Sequence, residues 1–103
     1  MNLPEIASRA ADIPAPVLVR PHSLGGIQAL WRFPNGYGAS VIDNALSRGI
    51  ELAVIEWPGE SLESFHLTYD TSITDDVLGY LDETGLIATL RLIRDLPTPV
   101  KRL

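Results

Sequence analysis

Only two histidines and no cysteine occur in this 103-residue chain, so any acid–base, nucleophilic or metal chemistry must lean on His22, His66, hydroxyls or carboxylates. His66 lies in Phe65-His66-Leu67-Thr68-Tyr69-Asp70, whose clean alternation reads as a strand with Phe65, Leu67 and Tyr69 inward and one wet face. Residues two apart on a strand stand about 6–7 Å from each other, so His66 and Thr68 could share a small site, while Asp70, at about 13 Å from His66, is beyond direct pairing. A half-exposed surface histidine accounts for His66 more simply. Asp70, Asp75 and Asp76 invite a divalent-cation reading, because oxygen ligands from a loop and a helix start can converge on a hard cation. Their spacing matches no calcium loop, and helix capping already explains Asp75 and Asp76. His22-Ser23-Leu24-Gly25-Gly26 holds an imidazole, a hydroxyl and two glycines, the parts of a nucleophile with an oxyanion pocket. Adjacent residues rarely face one another, and the segment lacks the Gly-x-Ser-x-Gly elbow, so it reads as a loop. Gly36-Tyr37-Gly38 has neither the length nor the lysine of a phosphate loop. Nothing in these patterns calls for a cofactor or a metal.

The elements that must position these residues fit one domain. A chain of this length buries about two thirds of its unfolded surface in a single core, and a second domain would have none. Hydrophobic content of 46% with 20% charged residues is ordinary globular composition, and no apolar run approaches the roughly 20 residues that span a bilayer. The segment from Met1 to Ala11 lacks the basic start of a signal peptide, and the absence of cysteine suits a reducing compartment, so the expected location is cytoplasmic.

The net charge of −5 is segregated. Through Arg48 the chain carries four arginines against Glu5, Asp12 and Asp43. From Gly49 to Leu90 there are nine carboxylates (Glu51, Glu56, Glu60, Glu63, Asp70, Asp75, Asp76, Asp82 and Glu83) and no Lys or Arg, and the basic residues resume at Arg91. Such a block disfavours polyanions and attracts basic surfaces, although a solvated face that aids solubility is the plainer account. With scattered basic residues and a pI of about 4.8, nucleic acid is not an expected partner.

Along the chain, Asn2, Pro4 and Glu5 predict a short N-terminal helix ending before Pro14. Pro14, Pro16 and Pro21 leave Val17 to Val19 extended, either polyproline-like or as an edge strand. The strongest local signal is Phe33-Pro34-Asn35-Gly36-Tyr37. A two-residue Asn35-Gly36 turn would put Pro34 where the ladder wants an N–H. A three-residue loop sets Pro34 at i+1 of a type I turn and Gly36 at the left-handed bulge position. The second register pairs Phe33 with Tyr37, Trp31 with Ala39, Ala29 with Val41 and Ile27 with Asp43, giving one apolar face. Ile50 to Trp57 is apolar on both alternating sets and predicts a central strand covered on both sides. Thr74 as N-cap, with Asp75 and Asp76 in the first turn, predicts a helix; Glu83-Thr84-Gly85 should break it, and Leu86 to Leu96 should form a second. The expected fold is α+β: an antiparallel β-meander of about four strands, a short N-terminal helix, and two C-terminal helices packed on one face. The expected boundaries within one domain are 1–26 for the helix and proline-rich segment, 27–70 for the sheet, 74–96 for the helices and 97–103 for a mobile tail.

The hairpin Phe33-Pro34-Asn35-Gly36-Tyr37-Gly38-Ala39-Ser40-Val41, the strand Glu51-Leu52-Ala53-Val54, and Leu67-Thr68-Tyr69-Asp70-Thr71 leading into Ile73-Thr74-Asp75-Asp76-Val77 together resemble small uncharacterised proteins encoded by phages of actinobacteria and related prophages. The resemblance spans Trp31 to Pro97 and brings no catalytic residues with it. It implies action inside a bacterial host cell by binding a host or phage protein. The expected function is therefore a non-enzymatic protein–protein interaction module, with Glu56, Glu60, Glu63, His66, Thr68, Asp70, Asp75 and Asp76 as the partner-binding residues. A homodimer is also among the expected assemblies, because small sheets often pair. The alternative is a small ligand-binding domain or enzyme using His66, Thr68 and nearby carboxylates.

Overall fold

The Phe33–Tyr37 turn organises the molecule. In the computed structural model, which describes residues 10–22, 25–43, 49–61, 64–68, 71, 73 and 77–98, the Phe33 N–H donates to the Tyr37 carbonyl at 2.8 Å and the Gly36 N–H to the Phe33 carbonyl at 3.1 Å. Gly36 sits at φ 91°, in the left-handed region that a side chain resists. This is the three-residue loop, and it joins strands β2 (Ile27–Arg32) and β3 (Tyr37–Asp43) in the expected register, with Trp31 opposite Ala39, Ala29 opposite Val41 and Ile27 opposite Asp43. Pro34 fixes that register because the alternative would waste a ladder position.

Strand β1 (Leu18–Pro21) flanks β2 antiparallel and settles the proline-rich segment as an edge strand. The His22 N–H donates to the Gly26 carbonyl, so the bonded positions of this pair fall on even residues and the odd ones, Val19 and Pro21, turn their backbone outward. Pro21 thus stands where its missing N–H costs no ladder bond, and it blunts the edge against strand addition. On the other side, β4 (Ile50–Glu56) pairs along the whole of β3 and is the central strand foreseen, with Leu52, Val54 and Ile55 all but fully buried.

The outer edge of β4 departs from the expected meander. It is shared by β5 (His66–Leu67), which pairs with Ile55 and Glu56, and β6 (Leu78–Leu81), which pairs with Ile50 and Leu52. Both run antiparallel to β4, so together they act as one interrupted edge strand, β5 at the Ile55–Glu56 end and β6 at the Ile50–Leu52 end. Among the described residues the sheet therefore has six strands rather than about four. The helix predicted from Thr74 is overturned where it can be checked, since Leu78–Leu81 is strand. A helix of that length is marginal on its own and weakened by Gly79, whereas pairing satisfies backbone groups of β4 that would otherwise be buried without partners.

One helix, α1 (Glu83–Arg94), is described. Glu83-Thr84-Gly85 is its first turn and not a break. Asp82 is the N-cap, its carboxylate accepting from the Gly85 N–H at 2.7 Å, and the first turn tolerates glycine because its N–H groups lack intrahelical partners in any case. Leu86, Leu90 and Ile93 are fully buried against Ala29, Trp31, Val41, Leu52 and Val54. Each such side chain stabilises the fold by about 1.5–3 kcal/mol. Two C-terminal helices are thus replaced by a strand and one helix on one face. The predicted N-terminal helix lies outside the described residues up to position 9, and its expected end, Ala10 to Ile13, is a turn closed by the Ile13 N–H on the Ala10 carbonyl at 3.0 Å; the end of the tail also lies outside the described residues. Among the described residues no helix is long and apolar enough to cross a membrane.

Candidate functional site

Alternation along β4 sends Glu56 to the helix-bearing side of the sheet and Glu51 to the other, so the acidic run does not decorate a single sheet face. Glu56 lies opposite His66 across β4 and β5, and the His66 Nε2 stands 3.5 Å from the Glu56 carboxylate. The side chains are 57% and 31% exposed, so solvent screens this pair, and it is worth at most about 1 kcal/mol. Thr68 continues the strand by donating its N–H to the Val54 carbonyl at 3.0 Å, and by alternation it shares a side with His66. Glu60 is exposed in the segment entering β5. Asp82 and Glu83 follow β6 directly. Glu63, Asp70, Asp75 and Asp76 lie outside the described residues. Among the described residues no group of three His, Asp or Glu side chains is placed to hold a metal ion.

The strand at His66 is two residues long, and Leu67, predicted inward, is 47% exposed. The face beside it holds a feature that sequence reasoning missed. The face of the sheet away from α1 carries a second core of Leu30, Ile55 and Trp57, with Leu18 and Phe65 packed against it. Trp57 folds back over Gly38, and its indole Nε1 donates to the Trp31 carbonyl at 3.2 Å. Phe65 tilts against the indole with ring centroids 5.1 Å apart, and the Arg32 guanidinium sits 5.3 Å above it. The same guanidinium donates to the Gly59 carbonyl at 2.6 Å and the Glu60 carbonyl at 3.3 Å. The stretch after Trp57 is therefore a strap, tied down by Arg32 at Gly59 and Glu60 and packed through Phe65 on the second core. The signal was in the sequence: Arg32, Gly38 and Trp57 each looked ordinary alone, and only the register brings them together.

Arg91 and Arg94, in the last turn of α1, grip Asp12. Arg91 Nε and Nη2 donate to its two carboxylate oxygens at 2.9 and 3.0 Å, and Arg94 Nη1 reaches Oδ2 at 2.7 Å. These bonds, Arg91's first, hold the Asp12 carboxyl well below the usual carboxylate range. Both arginines are shifted upward in turn, Arg91 by Asp12 and Arg94 by Asp95 and then Asp12; Asp95 is lowered by Arg94. With the Trp31 indole donating to the Pro14 carbonyl at 2.9 Å, this pins residues 10–14 beside α1 and closes the first core around Ala10 and Ile13. The network is exposed and fully paired within the chain, which is what a structural fastening needs.

The loop at His22 is a tight connection from β1 to β2, with the Gly25 N–H on the His22 carbonyl at 2.9 Å. Gly25 and Gly26 take positive φ there, a conformation glycine adopts without strain. Ser23 lies outside the described residues. No protein-family model, curated protein or solved structure matches this chain.

Proposed function

We propose that this chain is a non-enzymatic protein–protein interaction module that docks a basic partner surface along the β4–β5–β6 edge. The observation that carries the reading is the interrupted edge strand. Glu56 is on that edge and Asp82 and Glu83 follow β6 directly, while in sequence Glu60 and Glu63 precede β5 and Asp70, Asp75 and Asp76 fall between β5 and β6. The opposite edge is β1, with its outward proline and Arg20, so the charge asymmetry runs across the sheet. Like charges at one rim speed encounter with a basic partner and reject polyanions. The resemblance to actinobacterial phage proteins supports a setting in the cytoplasm of a bacterial host, where the target would be a host or phage protein.

The test is capture from host lysate by the intact chain and by a variant carrying Glu60→Gln, Glu63→Gln, Asp70→Asn and Asp75→Asn. The reading expects one stoichiometric partner, retained at low salt, released as ionic strength shortens the Debye length below about 10 Å, and lost in the variant. Binding indifferent to both salt and neutralisation sinks it. A small-ligand or enzymatic role draws its support from the Glu56–His66 contact alone, and a ligand-dependent signal that survives His66→Ala and Glu56→Gln would remove it.

A further inference from the structure

The Asn35 side chain joins the hairpin tip to the C-terminal end of α1. Its Nδ2 donates to the carbonyls of Ile93, Arg94 and Leu96 at 2.8, 3.1 and 2.9 Å, groups that a helix end leaves without intrahelical partners. Its Oδ1 accepts from the Tyr37 N–H at 3.0 Å. The residue that follows is Gly36, whose backbone nitrogen has no neighbouring Cβ to shield it and whose N–H is engaged by the Phe33 carbonyl.

An asparagine followed by glycine is the pairing most open to intramolecular cyclisation. The Gly36 nitrogen gives its proton to solvent base and attacks the Asn35 Cγ, a C–N bond forms, and the Cγ–Nδ2 bond breaks with loss of ammonia. Water then opens the succinimide ring to aspartate or isoaspartate. One water enters, one ammonia leaves, and a negative charge appears. We propose that Asn35 is a deamidation site guarded by its own clamp on α1, and that its conversion releases the hairpin tip for good. While the clamp is closed, the leaving amide is held by three carbonyls and the attacking nitrogen by a fourth, so cyclisation proceeds only from the opened tip. Once converted, the side chain offers a carboxylate, with no donor, to three carbonyl oxygens at the negative end of the helix dipole. Isoaspartate also lengthens the backbone of a three-residue loop whose register depends on Gly36. The clamp cannot re-form by either route.

The full chain is aged in mildly alkaline buffer, folded and in urea, and mapped by peptide mass and isoaspartate content. Conversion should concentrate at Asn35, ahead of Asn2 and Asn44, and run about tenfold or more slower in the folded protein, since the reactive form is the locally opened one. The converted fraction, separated by charge, should melt below the parent. Equal rates in the two states, no preference for Asn35, or a converted fraction that melts with the parent each overturn the proposal. Asn35→Asp should melt with the converted fraction, and melting with the parent counts equally against it. The comparison on aged wild-type chain requires no variant to fold.

Discussion

Replacing Gly38 by alanine tests the claim that the second core depends on one missing methyl group. A Cβ at position 38 would overlap the Trp31 carbonyl oxygen and approach the Trp57 Nε1 to 2.7 Å. The first neighbour is backbone in the central pair of strands and cannot rotate away. The second is the donor of the bond that anchors Trp57, which is 4% exposed. Forcing a methyl into a packed site costs about 1–3 kcal/mol, and stranding the indole N–H or the carbonyl costs a further 1–3 kcal/mol or so. A loss of about 4 kcal/mol is a large share of the 5–15 kcal/mol typical of a domain, and at this chain length it lowers Tm by roughly 15 °C or more. Thermal melting with near-ultraviolet circular dichroism reads both the stability and the Trp57 environment. Gly59→Ala is the control, because a Cβ there meets nothing within 4 Å and its φ is not positive, so its effect should stay within about 0.5 kcal/mol. A Gly38→Ala protein that keeps the parental Tm and aromatic signal would refute the account of the strap, as would equal losses in both variants.

Three further outcomes follow from the same geometry. Asp12 titrates below its unfolded value when folded, so its contribution is complete above the ordinary carboxylate range and fades as pH falls below about 4; amide protection factors at residues 10–13, taken against the intrinsic rate at each pH, should fall on acidification in the parent, while Asp12→Asn should show the lower protection already at neutral pH. Arg32→Ala removes two ties to the strap and the cation over Trp57, so limited proteolysis between Pro58 and Phe65 should quicken while the global Tm falls by only about 1 kcal/mol equivalent. Asp82→Ala removes the cap of α1 and should cost about 1 kcal/mol in chemical denaturation, with Asp82→Asn recovering most of it.

Local chemistry was legible wherever one residue type forced one geometry. Pro34 and Gly36 set the hairpin register, and the doubly apolar run from Ile50 placed the central strand. The C-terminal region was misread because Thr74 to Asp76 and Asp82 to Gly85 both carry capping chemistry, and periodicity over so few residues cannot weigh a helix against an unpaired edge of β4. Pairing at a distance decided it. The same limit hid the strap: alternation marks which face a residue joins, but it does not say that a later tryptophan will fold back over that face. Proximity among the candidate partner residues is not written in their spacing. Glu56 and His66 meet only because β5 is antiparallel in one particular offset, and Asp12 finds Arg91 and Arg94 across almost the whole chain length.

The two short pieces that share the outer edge of β4 hold the sheet at separate points, and neither depends on how much chain lies between them. Lengthening such a connection costs about 0.6 kcal/mol for each doubling, far less than moving a strand. The connection from β5 to β6 can therefore drift in length and content, or be exchanged for a foreign peptide, while Leu67 and Leu78 keep their partners. Selection on a changing target could rewrite that stretch alone.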